Sequence, residues 1–301
     1  MNLRNLAAYL QERFPPVNMS LFVVLFLTVR AVAGVEAGPG GAAPESGLLT
    51  AMGALAAVSF FFRLRVFDEE KDFAQDALHH PHRVLQTGRV TLRQLRALAW
   101  AGTLLEAGWA AAQGRPALLG WALALTYSLL MRAEFFVGGW LRRHLVLYAG
   151  SHLLIMPLVI LWLWLAYTSG SPSFRGPLLP LLLGLSLLGG LAFELARKLH
   201  TPAQERAGVD SYSRALGYGP ALAVTALVLL AGAATQARLL AGLGAGAAAY
   251  AVLLGLLGLT LLLYAAAARR PRELLLRRAE LVVSLFMLTS YLALLAEVYG
   301  R

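Results

Sequence analysis

The sequence predicts an all-α integral membrane bundle of nine transmembrane helices, forming one transmembrane domain over residues 1–301. Three observations carry this reading. Hydrophobic residues make up 58% of the chain and charged residues 14%, with a mean hydropathy of +0.65, far more apolar surface than a soluble domain of this length needs. Nine stretches reach the length of about 20 mostly apolar residues that a bilayer crossing requires. The basic residues then gather in alternate connections, as they do on a cytoplasmic face.

Taken in order, residues 1–17 come first, where Leu3, Leu6, Leu10 and Phe14 recur at helical spacing beside Arg4 and Arg13. This pattern predicts a short amphipathic helix on the inner leaflet, ended by Pro15-Pro16. It does not read as a cleaved signal, because the apolar run behind it is broken by Arg30 and has the length of a whole span. The nine spans are expected at 18–35, 46–65, 93–112, 116–137, 145–168, 177–197, 218–237, 240–267 and 278–298. The eighth is longer than one crossing needs and is expected to tilt.

Orientation follows from the connections. Arg63, Arg65, Lys71, Arg83, Arg89, Arg93 and Arg96 mark the connection after the second span, and Arg197, Lys198, Arg206 and Arg214 the one after the sixth. Arg132, Arg142 and Arg143 fall on the same side, as do Arg269, Arg270, Arg272, Arg277, Arg278 and the amino-terminal Arg4 and Arg13. The other side receives only Arg115, Arg175, Arg238 and Arg301. The expected topology places the N-terminus in the cytoplasm and the C-terminus outside, in the inner membrane of a prokaryote whose Arg, Ala, Leu and Gly usage suggests a GC-rich genome. The same distribution accounts for the net charge of +10 without a nucleic-acid partner.

The chain has no cysteine, which excludes disulfides, thiolate metal sites and cysteine nucleophiles. The acids are therefore the chemistry to follow. Asp68, Glu69, Glu70, Asp72 and Asp76 crowd into nine residues beyond the second span, and Asp68, Asp72 and Asp76 share one face of a continuing helix. Stacked like charges repel, and a divalent cation relieves them; carboxylates alone suit Mg²⁺, Mn²⁺ or Ca²⁺. Lys71, Arg83 and Arg89 nearby suit an anionic substrate, and the only two lysines among the basic residues, Lys71 and Lys198, each fall in one of the two polar cytoplasmic loops, 66–92 and 198–217. An exposed helix end is the plain alternative for the acidic run. His79-His80-Pro81-His82 reads as a turn rather than a zinc site, since proline breaks the face.

In the second loop, Glu194 and Lys198 stand one helical turn apart, the spacing of an ordinary ion pair. Glu205, Arg206 and Asp210 follow, either as loop surface or as groups facing the first loop across a cytoplasmic opening. At membrane depth lie Arg30, Glu106, Glu134 and Glu280, of which Glu106 and Glu280 suit an interior cavity and a pairing with Arg30, while Glu134 and Arg132 suit snorkelling. His152 fits a hydrogen-bonded interior position.

These residues resemble the UbiA superfamily of intramembrane prenyltransferases, which has nine transmembrane helices and two aspartate-rich motifs. Asp68, Asp72 and Asp76 match its first motif, N-x-x-x-D-x-x-x-D, with Asp in place of Asn; Pro81, Arg83 and Gly88 match the stretch behind it, with Val84 replacing a proline. Gly208-Val209 and Leu216-Gly217 look like the segment that follows the second motif. The second D-x-x-x-D itself is missing, and His200 and Gln204 stand where its aspartates would fall. Glu194, Glu205 and Asp210 are nearby substitutes, with the choice among them open.

The resemblance implies transfer of a prenyl group from a prenyl diphosphate to an aromatic or other lipophilic acceptor in the membrane, with Mg²⁺, or alternatively Mn²⁺, as cofactor. It assigns catalysis to Asp68, Asp72, Asp76 and Lys71, substrate binding to Arg83, Lys198, Arg206, Glu194 and Asp210, and metal ligation to Asp68, Asp72, Asp76, Glu194 and Glu205. Aromatic candidates for stabilising an allylic cation are Phe60, Phe61, Phe62, Phe67, Tyr127 and Trp140. Two other readings stay open: a divalent-cation transporter or permease, favoured by the acids at membrane depth, and a catalytically inactive UbiA-like protein, favoured by the missing motif.

Overall fold

The computed structural model describes residues 2–38, 46–141, 143–168, 176–206 and 210–300, and all regular elements among them are helical. Arg142, Arg175, Gly208, Val209 and Arg301, used above for orientation or motif matching, lie outside the described residues.

The amphipathic start is helix α1 (Leu3–Arg13), begun by the Asn2 side chain accepting from the Arg4 N–H. Its Tyr9 is completely buried and Leu6 and Leu10 are half-buried, while Leu3 stays exposed. Helix α2 (Pro16–Ala37) opens with a proline in its first turn, where a missing N–H costs nothing. Helix α3 (Gly47–His79), capped by Ser46, runs 33 residues, so it carries the second span and then continues as a helix through the acidic run. Helix α4 (Leu92–Gln113) starts from a Thr91/Gln94 capping box. Gly114, at φ +109°, turns the chain into α5 (Arg115–Arg132).

A 3₁₀ turn at Glu134–Phe136 and the single-turn α6 (Gly138–Leu141) lead to α7 (Leu145–Leu153) and α8 (Ile155–Leu165). The fifth span is thus two helices broken at Leu154, because Pro157 has no N–H for the Leu153 carbonyl and its ring crowds that group. Helix α9 (Leu178–Arg197) is followed by a 3₁₀ turn at Pro202–Gln204 and the short α10 (Tyr212–Leu216). Then come α11 (Tyr218–Gly242), α12 (Ala247–Arg269) and α13 (Glu273–Tyr299).

Seven of these units are long and apolar enough to cross a membrane: α2, α3, α7 with α8, α9, α11, α12 and α13. The protein is multi-pass. Helices α4 and α5 occupy the third and fourth expected spans but fall outside those seven: α4 carries Arg93, Arg96 and Glu106 within 22 residues, and α5 has only 18 residues with arginine at both ends. The expected tilt of an overlong eighth span is replaced by a boundary shift. Residues 240–242 belong to α11, and a glycine-rich turn through Gly244, at φ +64°, separates it from α12.

Each long helix packs on the next around a closed ring, α2 on α3, α3 on α4, α4 on α5, α5 on α8, α8 on α9, α9 on α11, α11 on α12 and α12 on α13, and α13 returns to α2. The main core fills this ring with Phe26, Phe60, Trp109, Trp162 and Trp164, none of them exposed. A second, smaller core of Tyr9, Val66, Val84, Leu85, Val90 and Leu95 sits where α1 and the 80–91 turns cover the α3 extension. That small core holds the acidic run in place.

Candidate functional site

The five acids of the run are divided by the face of α3 on which they fall. Glu69 points inward, with 1% of its surface exposed, and takes Arg13 at 2.6 Å and Arg65 at 2.7 Å. Glu70 takes Arg132 at 2.8 Å and also Arg96. Asp76 is bound by Arg83 and lies 3.5 Å from Arg13. Asp68 has only Arg65, at 4.0 Å, and Asp72 has no hydrogen bond or ion pair among the described residues. The outcome is two exposed carboxylates one helical turn apart, Asp72 without a partner among the described residues and Asp68 held only by the long contact to Arg65, with Lys71 close enough for its charge to act on both.

No group of three His, Asp or Glu among the described residues is gathered closely enough to hold a metal ion. The third aspartate of the stripe is engaged by arginines instead. Two exposed carboxylates one turn apart, one unpaired among the described residues and one only loosely paired, nevertheless suit Mg²⁺, which takes one or two carboxylates and completes its shell with water and substrate phosphate. Asp68 and Asp72 fit that role on donor chemistry.

Lys71 reaches Glu134 at 3.4 Å and the Tyr148 hydroxyl at 3.3 Å, so the snorkelling expected of Glu134 gives way to a buried contact. Arg132, also expected to snorkel, meets Glu70 and lies over the Phe67 ring at 5.1 Å. Phe67, Glu70, Lys71, Arg132 and Glu134 line a cavity of about 320 Å³. Its wall is strained: Glu134, Phe135 and Phe136 all adopt positive φ (47°, 53° and 60°), conformations that side-chain-bearing residues hold only when their surroundings enforce them.

The second loop departs further from expectation. Glu194 is taken by Arg197 and Lys198, both at 2.7 Å, the ordinary helical pairing. Glu205 accepts from the Ser211 hydroxyl at 2.6 Å, and its other oxygen is buried without a partner among the described residues. Asp210 is exposed, and Tyr212, buried beside Glu194, has its phenol pushed up by burial first and by that carboxylate second.

Sequence reasoning missed Glu273. This first residue of α13 accepts from the Thr201 N–H at 3.1 Å and from Arg277 at 2.7 Å, and lies 3.3 Å from His200 Nδ1. His200, Gln204, Arg206, Glu273 and Arg277 line a cavity of about 380 Å³. The available signal was the lone acid between Arg272 and Arg277 in an otherwise basic connection. Tyr148, the hydroxyl partner of Lys71, was missed because nothing in its local sequence distinguishes it from other span residues.

The acids at membrane depth are each tied to a basic side chain. Glu106 pairs with Arg63 at 2.5 Å, not with Arg30, and also accepts from Ser59 at 3.0 Å and Trp121 at 3.1 Å. Arg63, expected among the cytoplasmic basic residues, is wholly buried in α3 because that helix is still packed on α4 at this level. Arg30 instead donates to the Tyr299 hydroxyl at 3.0 Å and lies over Tyr167, and Glu280 pairs with Arg277 at 2.8 Å. Among the aromatic candidates, Phe60 packs under Arg63, Phe61 stacks on Phe22, Tyr127 donates to the Ser151 carbonyl and Trp140 is exposed; Phe67 lines the Lys71 cavity.

The ring of helices with an acidic helix extension beside basic groups defines a class, that of membrane-embedded helical bundles with a polar site at one end. Comparison with solved structures narrows the fold. A digeranylgeranylglyceryl phosphate synthase matches with a TM-score of 0.70 at 13% identity, over 99% of this chain and all of its own. A UbiA homolog from Aeropyrum pernix K1 matches at 0.63 with 19% identity, over 91% and 96% of the two chains. A UbiA homolog from Archaeoglobus fulgidus, bound to GPP and Mg²⁺, matches at 0.50 with 16% identity, over 95% and 99%. No family model and no curated protein matches the chain. The fold is therefore the UbiA fold.

Proposed function

We propose that this protein is a Mg²⁺-dependent prenyltransferase of the prokaryotic inner membrane, moving a prenyl group from a prenyl diphosphate to an aromatic or other lipophilic acceptor. The N-terminus lies in the cytoplasm and the C-terminus outside. The observation that carries this reading is the exposed Asp68–Asp72 pair beside Lys71, on a fold shared with a UbiA homolog bound to GPP and Mg²⁺. Mn²⁺ serves as the alternative ion.

In the reaction the allylic C–O bond breaks, the electron pair leaves with the diphosphate, and the acceptor attacks the allylic carbon and then loses a proton. A bound Mg²⁺ supplies the charge that stabilises the departing diphosphate. Asp68 and Asp72 would hold that ion. Lys71 adds positive charge directly, Arg83 is oriented by Asp76, and Lys198 and Arg206 serve from the second loop. Glu205, whose second oxygen has no partner among the described residues, is the second-loop carboxylate best able to take part, since Glu194 is already occupied. The apolar cavity of about 290 Å³ lined by Phe22, Leu25, Met156, Phe193, Met287 and Tyr291 suits the hydrocarbon by its lining.

Purified protein incubated with labelled prenyl diphosphates and Mg²⁺ is expected to release diphosphate. Asp72→Ala is expected to abolish release while its thermal transition stays within a few degrees of wild type, since no described contact is lost. Release undiminished in Asp72→Ala refutes the site. Metal flux without release favours a permease, and no release from any donor marks an inactive UbiA-like protein.

A further inference from the structure

The cavity at His200 stands where the resemblance places the second acidic motif, yet its lining is short of acceptors and rich in donors. Its one carboxylate, Glu273, is saturated: one oxygen takes Arg277 and faces His200, the other takes the Thr201 N–H and lies 3.4 Å from the Thr201 hydroxyl. A cation entering here would find no free oxygen on it. The donors, in contrast, are open. The Arg206 guanidinium and the Gln204 amide make no bond among the described residues, and Arg277 uses only its two terminal nitrogens, leaving Nε–H. His200 Nδ1 lies 3.1 Å from Arg277 Nη2 and 3.3 Å from Glu273 Oε1, and the other ring nitrogen, Nε2, makes no bond among the described residues.

We propose that this cavity is a metal-independent oxyanion site, in which Arg206, Arg277, Gln204 and His200 bind a phosphate-class anion, with Glu273 holding Arg277 and His200 in place. At about 380 Å³ the cavity has the size of a small-ligand site. Planar guanidinium groups match phosphate oxygens; Arg277 is already paired with Glu273 and Glu280 and offers only its Nε–H, so the positive charge that a metal would otherwise bring comes from Arg206, which has no carboxylate partner among the described residues. Identification of the anion as the prenyl diphosphate rests on the function proposed above; binding of the anion does not. A phospholipid head group presents the same oxygens and is the other source.

The test uses the full-length protein in detergent with labelled inorganic pyrophosphate and excess EDTA, where no metal-dependent turnover occurs. Saturable binding is expected, weakened about tenfold or more in Arg206→Gln and in Arg277→Gln, as loss of a charge-assisted bond implies. Arg206→Gln is the decisive variant, because Arg206 supports no described side-chain contact and its loss leaves the fold intact. Absence of saturable binding in EDTA, or equal binding by Arg206→Gln and wild type, overturns the proposal. Displacement of the label by geranyl diphosphate ties the site to the prenyl donor. Displacement only by phosphatidylglycerol in nanodiscs upholds the oxyanion site and assigns it to lipid. Because the Asp72→Ala assay requires Mg²⁺ and this one excludes it, failure of one reading is distinguishable from failure of the other.

Discussion

Arg63 and Glu106 face each other inside the bundle without exposed surface, and the arginine still has two nitrogens, Nε and Nη2, with no partner among the described residues. Removing one member leaves a buried charge uncompensated. Glu106→Gln is therefore expected to destabilise the protein by about 3–5 kcal/mol, while the double variant Arg63→Met/Glu106→Met recovers most of that loss. Thermal unfolding in detergent reads both; a double variant no more stable than the single one refutes pairing as the main role. At this scale the sequence was only partly legible. The i, i+4, i+8 spacing of Asp68, Asp72 and Asp76 is local, so helical periodicity was enough to place them on one stripe. The engagement of Asp76 by Arg83 and Arg13, and of Glu273 by His200, joins distant segments that periodicity cannot relate. Arg63 is buried in the bundle, but in sequence its proximity to a basic loop looks the same as membership of it.

Among the elements, α3 and α4 pack on each other most extensively, and small residues permit it. A Cβ on Gly102 would lie 2.0 Å from the Ser59 hydroxyl oxygen, and one on Gly53 would meet Phe26 and Trp109 at 2.6–2.7 Å. In lipid, where apolar burial gives little net drive, such backbone proximity is what holds helices together. Gly102→Val is expected to push α4 from α3, break the Ser59–Glu106 bond and lower stability by about 2–3 kcal/mol. An unfolding temperature unchanged from wild type counts against it. Helix positions were readable from hydropathy because each span's signal is carried by its own residues. The break at Leu154 is encoded by Pro157, and the boundary between α11 and α12 is hidden from hydropathy because the residues of the Gly244 turn are themselves apolar.

For the whole molecule, the absence of cysteine makes topology directly measurable, since any introduced thiol is the only one present. Single cysteines at the exposed positions Arg89 and Arg270 are expected to react with an impermeant maleimide only after the inner face is opened, and one at Arg238 in intact cells. Labelling of all three from one side refutes the proposed orientation. The closed ring has a further consequence for biogenesis. Helix α2 packs against α13, and Thr28 lies within reach of the Tyr291 carbonyl, 263 residues further along. Helix α2 thus stays without one of its packing partners until α13 has been synthesised, and that seam closes only late in assembly.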